Sequence, residues 1–129
     1  MTLTIADRVW NRAALESGGT RPRPGDLALA AALRFHGLVM NGGVHHALEC
    51  VSPEEQSSAA AGFGYFGLQE LQEFLSEPAK HPLLSRWTAK TEHAANRRYA
   101  ELLPGDSALE RHFHRVFAAR PDQFAPLDP

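Results

Sequence analysis

The stretch "LALAAALRFHGLVMNGGVHHALECV", residues 27–51, decides the fold. Its first part, to Met40, is apolar on every side, with only Arg34 and His36 breaking the run. Strands seldom reach this length, and the alanines favour a helix. A helix apolar all round belongs in the centre of a bundle. Then come Asn41, Gly42 and Gly43, all of which tolerate positive φ. They read as a helix stop with a sharp change of direction, a left-handed cap satisfying the last carbonyls. Asn-Gly also suits a β-hairpin. The flanks do not alternate apolar and polar, so that reading is rejected. "VHHALECV", residues 44–51, then opens a second, short helix.

The rest of the chain also reads as helices. Thr4 with Asp7 three residues later resembles a capping box for a helix over about 4–17. Its inner face is Ile5, Val9 and Ala13, with Trp10 beside them. Gly18 and Gly19 end it, and Pro22 and Pro24 keep the following segment a loop. Asp26 is the expected N-cap of the central helix. Ser52, Pro53 and Glu55 mark another start. That helix should break near 62–67, where Gly62, Gly64 and Gly67 weaken it. Ala60, Gly64 and Gly67 are small enough to admit a neighbouring helix. Leu68, Leu71 and Leu75 give a buried stripe, ended by Pro78. A long helix is expected over about 83–102, with Trp87, Thr91, Ala94 and Tyr99 inside. Pro104 and Gly105 stop it. Asp106 should cap a last helix burying Leu109, Phe113, Val116 and Phe117. The Pro-rich tail should be extended, with Phe124 and Leu127 holding it to the body. These readings give an all-α fold: one compact helical bundle of about six to seven helices, with residues 1–24 as N-terminal helix and loop, 25–120 as core and 121–129 as tail.

Composition narrows the function classes. The 129 residues are 43% hydrophobic and 22% charged, which suits a packed domain and not a disordered chain. No apolar run reaches the roughly 20 residues of a membrane span. The first residues lack a basic region followed by an apolar block, and Cys50 has no internal disulfide partner, so a cytoplasmic protein is expected. The net charge of −2 conceals a split. Residues 35–79 contain no Lys or Arg and six glutamates: Glu49, Glu54, Glu55, Glu70, Glu73 and Glu77. Neither direct nucleic-acid binding nor attraction to an anionic membrane is expected from this balance.

Candidate chemistry is sparse. There is no Walker loop, dinucleotide fingerprint, G-x-S-x-G or paired CxxC. "GFGYFG", residues 62–67, imitates a phosphate loop, but no strand precedes it. The seven histidines invite a metal reading. His45 and His46 are adjacent and diverge, and His112 and His114 are two apart, so no His pair has the i, i+4 spacing of a helical zinc site. His36 could meet His45 or His46 across the turn, with Glu49 near, and this set is the basis of a metal-binding or enzymatic alternative. Cys50 has His46 four residues before it, yet reads first as a buried structural thiol. Neither a catalytic residue nor a cofactor is assigned.

Charge patterning says more. Glu70, Glu73 and Glu77 share one helix face. Arg86, Lys90 and Arg97 form a basic stripe on the next long helix. Either the glutamates dock a basic partner, or the helices form a hairpin in which the stripes screen each other.

Residues 25–78, "GDLALAAALRFHGLVMNGGVHHALECVSPEEQSSAAAGFGYFGLQELQEFLSEP", resemble the DNA mimic protein 19-like domain, a bacterial all-helical family. Asn41, Gly42 and Gly43 match its most recognisable element, and Gly64–Leu75 matches a later one in style. Where the family carries an aromatic and a glutamine, this chain has Val44, His45 and His46. The resemblance implies an all-α fold, often dimeric, and no catalytic centre. Dense negative charge like that of DNA is not repeated here, since 11 arginines and 2 lysines offset the acidic block. The leading expectation is a non-catalytic interaction module. It binds a protein partner through Asn41, Gly42, Gly43, His45, His46 and Glu49 and through the Glu70, Glu73 and Glu77 face, with a homodimer as one form. A DNA mimic acting on a DNA-binding protein is the second alternative.

Overall fold

The computed structural model describes residues 2–128 and folds them into seven α-helices, with no strand among the described residues. They are α1 (Ile5–Glu16), α2 (Pro24–Gly42), α3 (Val44–Cys50), α4 (Pro53–Tyr65), α5 (Gln69–Ser76), α6 (Ala89–Leu102) and α7 (Asp106–Ala119). Single 3-10 turns occupy Pro78–Lys80 and Pro121–Gln123. No helix among the described residues is long and apolar enough to cross a membrane.

α2 is the central element, as its all-round apolar sequence requires. α1, α3 and α4 pack directly on it, and α5 packs on α4. α6 closes the bundle against α3 and α5. α2 buries Gly25 and Asp26 at its start, then Leu29, Ala32, Phe35, His36 and Val39 along its length. Phe35 meets Phe63 edge-on, and Phe63 meets Tyr99 the same way, joining α2, α4 and α6 through one aromatic chain. Val9, Ala13, Leu29, Phe66, Phe113 and Phe124 form a second cluster, and Trp10 and Leu33 border both. Each fully buried Phe contributes about 1.5–3 kcal/mol through area removed from water.

Several starts and stops follow the sequence signals. Thr4 and Asp7 form a reciprocal capping box at α1, and Ser52 and Glu55 form another at α4, with Pro53 at its first position. Ser17, Gly18 and Gly19 all take positive φ in ending α1. α4 runs on through Gly62 and Gly64 to Tyr65, and the chain breaks only at 66–68, where Gly67 has φ 85°. The helix tolerates Gly62 because α2 lies so close: a Cβ there would sit 2.5 Å from the Ala28 carbonyl oxygen. Gly62, more than Ala60 or Gly67, is therefore the residue that admits the neighbouring helix.

Other expectations need correction. Asp26 is not an N-cap. Arg23 is the capping position, and the Asp26 carboxylate reaches back to accept the Arg23 backbone N–H at 3.0 Å. Ile5 is exposed, because the inner face of α1 turns on Val9 and Ala13. α6 starts at Ala89, not near 83, because Thr88 and Thr91 form a polar cap that halts the helix there. The preceding stretch winds through turns that bury Leu84 and leave Trp87 outside. Asp106 is the first residue of α7 and makes no capping bond to it. The tail does fasten to the body. Phe124 is buried between Phe113 and Phe117, with ring centroids at 5.7 and 5.2 Å.

Candidate functional site

The Asn41–Gly43 turn is smaller than the sequence suggests. Asn41 and Gly42 are still helical, and only Gly43 leaves, with φ 95° and ψ 175°. Its N–H closes on the Val39 carbonyl at 2.7 Å. The next N–H, that of Val44, is taken by the Asn96 side-chain oxygen at 2.9 Å, so α6 satisfies one of the open donors of α3. Crowding explains both glycines. A Cβ on Gly43 would lie 3.0 Å from the Asn96 amide, and one on Gly42 would lie 2.5 Å from the His46 ring. Asn41 and Glu49 stay exposed at either end of the turn region.

The three histidines suggested as ligands take separate partners. His45 is buried and donates from Nε2 to the Leu83 carbonyl at 2.8 Å, while its ring stacks on Trp87 at 5.3 Å and 14°. His46 lies against Gly42, with its two ring nitrogens 3.7 and 3.8 Å from the Cys50 sulfur. Nearly equal distances describe a ring resting on the sulfur and not a directed bond. The Cys50 thiol is exposed, which corrects the expectation of a buried one. It closes the last turn of α3, whose apolar face is spent on Val44 and Ala47. His36 belongs to another part of the molecule. No three donors from His36, His45, His46 and Glu49 come within metal-ligand range.

His36 instead joins three helices. Its Nε2 donates to the Asp106 carboxylate at 2.7 Å, which leaves Nδ1 to accept the Tyr99 hydroxyl proton at 2.8 Å. Burial, with the Asp106 charge adding to it, pushes the Tyr99 hydroxyl far above its ordinary range. A hydroxyl so placed stays protonated and donates. The Tyr99 side chain is closed off from solvent, so the only open member of the set is Asp106. A groove of about 650 Å³ passes beside it, lined by Trp10, Ala13, Leu33, Gly37 and Met40 among others. The arrangement ties α2, α6 and α7 together.

A second groove, of about 400 Å³, lies where the end of α3 and the start of α4 meet the 78–87 connection. Leu48, Val51, Pro53, Pro78, Leu84 and Trp87 contribute to its lining. Trp87 is 51% exposed yet held in place. His45 backs its ring, and its indole N–H donates to the Leu84 carbonyl at 2.9 Å. The polar handle is thus satisfied within the chain, and the aromatic surface faces outward. The sequence reading missed this by placing Trp87 inside a helix; Thr88 followed three residues later by Thr91 was the available signal.

Two of the three glutamates of the expected acidic face lie on α5. α5 buries Leu71, Phe74 and Leu75 and leaves Glu70 and Glu73 exposed. Glu77, expected on the same helix face, lies just past the helix end at φ −134° and ψ 72°, because the chain turns there into Pro78. Of the two alternatives, direct pairing with the basic stripe is not seen: Arg86, Lys90 and Arg97 make no ion pair among the described residues. Arg98 approaches Glu70 at 3.6 Å and Lys80 meets Glu77 at 2.8 Å, both at exposed positions worth little to stability. Glu73 has no cationic partner among the described residues.

Compared with family models, curated proteins and solved structures, the chain matches none.

Proposed function

We propose that this protein is a non-catalytic interaction module that holds a protein partner through the Trp87 groove and the acidic face of α5. One observation carries the reading: the bundle pins Trp87 by stacking and by a hydrogen bond, yet leaves half of it in water. Pinned, half-exposed aromatics bind at small entropic cost and are over-represented among the residues that dominate interface energies. The turn supports the same surface, because Gly43, with φ 95°, redirects the chain into α3, whose His45 backs the indole. Glu73, with Glu70 and Glu77, favours a partner that presents basic side chains. The resemblance of residues 25–78 to the DNA mimic protein 19-like domain is in keeping with an interaction role. Mimicry of DNA is the weaker reading, because Glu70 and Glu77 stand beside cations and the acidic stripe covers only one short helix and its end.

The test is capture from a bacterial lysate by immobilised protein, compared by quantitative mass spectrometry between wild type, Trp87→Ala and a Glu70→Lys, Glu73→Lys double variant. The reading expects one protein to be retained by wild type and lost from both variants. Loss of a central Trp typically costs 2 kcal/mol or more, roughly thirtyfold in affinity. Retention by both variants, or no protein distinguishing them, overturns it.

A further inference from the structure

One cluster lies outside both faces. Asp7 in the first turn of α1, and Glu110 and His114 on α7, bring one potential ligand atom each to within 4.8 Å of one another. Glu110 and His114 are one helical turn apart, so their side chains rise from the same side of α7. Packing of Trp10 on Phe113, with ring centroids 5.6 Å apart, brings α1 and α7 together at this level. Asp7 is already oriented. One carboxylate oxygen accepts the Thr4 backbone N–H at 3.0 Å, and the other remains available. Neither Asp7 nor Glu110 is paired with a Lys or Arg among the described residues.

We propose that Asp7, Glu110 and His114 bind one divalent transition-metal ion of the zinc class, bridging α1 to α7 with water completing the shell. The donor set selects the ion. One imidazole with two carboxylates suits Zn²⁺, Co²⁺ or Ni²⁺, whereas Ca²⁺ and Mg²⁺ prefer shells made of oxygen alone. Zinc–ligand bonds of about 2.0–2.2 Å place tetrahedral ligands about 3.3 Å apart. The three atoms must therefore draw together slightly, which Glu110 and His114 can do because both are exposed. The two carboxylates balance the charge of the ion. The ion would clamp the first helix to the last, and nothing in this geometry gives it a catalytic duty.

The test uses the full chain, stripped of metal by a chelator and titrated with ZnCl₂ by calorimetry and by thermal unfolding. Wild type is expected to bind one equivalent in a saturable step and to unfold at a higher temperature when loaded. Changes to outer partners of a metal site typically cost 10–100-fold in affinity. Glu110→Gln and His114→Ala, each removing a direct ligand, should therefore weaken the step by at least about tenfold and abolish the thermal shift. His93→Ala, an exposed histidine of α6, should titrate as wild type does. No saturable uptake by wild type, or a wild-type isotherm in either Glu110→Gln or His114→Ala, overturns the proposal.

Discussion

The Asp26 carboxylate, with no exposure to solvent, takes the Arg12 guanidinium at 2.8 Å. Its second oxygen accepts two backbone N–H groups, from Arg23 at 3.0 Å and Ala125 at 2.7 Å. Arg12 also donates to the Ala125 carbonyl at 2.8 Å. One carboxylate thus organises the end of α1, the start of α2 and the tail. Removing it strands a nearly buried cation and two backbone donors, a type of loss worth about 3–5 kcal/mol. Asp26→Ala should lower unfolding free energy in urea by that amount and loosen the tail. A cost below about 1 kcal/mol would place the pair among ordinary surface bridges.

Gly42 and His46 should be energetically coupled. At a helical position Gly→Ala normally gains about 1 kcal/mol. Here the new methyl would meet the His46 ring at 2.5 Å. Gly42→Ala is expected to destabilise by about 1–2 kcal/mol, and to become neutral or stabilising in a His46→Ala background. Denaturation of the four members of that cycle decides the matter. Additive effects would show that the ring is not what excludes a side chain.

The Tyr99–His36–Asp106 set should behave as three unequal parts. Tyr99→Phe leaves a buried imidazole nitrogen without its donor and should cost about 1–2 kcal/mol. Asp106 is 79% exposed, so Asp106→Asn should cost less than about 1 kcal/mol. The hydroxyl pushed up by burial has a pH consequence as well. In the unfolded chain Tyr99 ionises near its ordinary value of about 10. Folded, it stays protonated, so its contribution is complete below pH 10 and is lost as pH rises beyond it. Ultraviolet titration should show Tyr99 ionising only together with unfolding. A phenolate at Tyr99 inside a still-folded protein would refute the closed network.

The sequence made the fold legible wherever one local signal settled the structure. The unbroken apolar run placed α2 at the centre, and Ser52-Pro53 with Glu55 marked the start of α4 to the residue. Long-range partners were not legible. Asp26 has the composition of a cap, but its buried role depends on Arg12 and on Ala125, 99 residues away. His36 looked like a ligand near the turn because His45 and His46 are close in sequence. Its true neighbours, Tyr99 and Asp106, come from the far end of the chain. A search for His–His spacing could not find Glu110 with His114, which share the i, i+4 interval but differ in residue type. The acidic face of α5 was readable because amphipathicity is local; whether α6 covered it depended on where that helix began.

His81 should govern stability in mildly acidic solution. Its Nδ1 accepts the Leu83 backbone N–H at 3.0 Å, and the Phe74 ring meets it edge-on at 4.8 Å. Desolvation, with a smaller contribution from the Arg98 charge, lowers its pKa below the ordinary 6.5. Protonation would also place a hydrogen on the nitrogen that must accept from Leu83. The unfolded chain therefore binds a proton at His81 before the folded one does. The contribution is present above pH 6.5 and is lost as pH falls through that value toward the lower folded pKa. Asp7 and Glu55, whose carboxyls are lowered chiefly by backbone hydrogen bonds from Thr4 and Ser52, act in a more acidic window below about pH 4. Denaturation midpoints between pH 7 and 5 should therefore fall more steeply for wild type than for His81→Gln. Parallel profiles would mean that His81 titrates alike in both states and that its bond to Leu83 carries no weight.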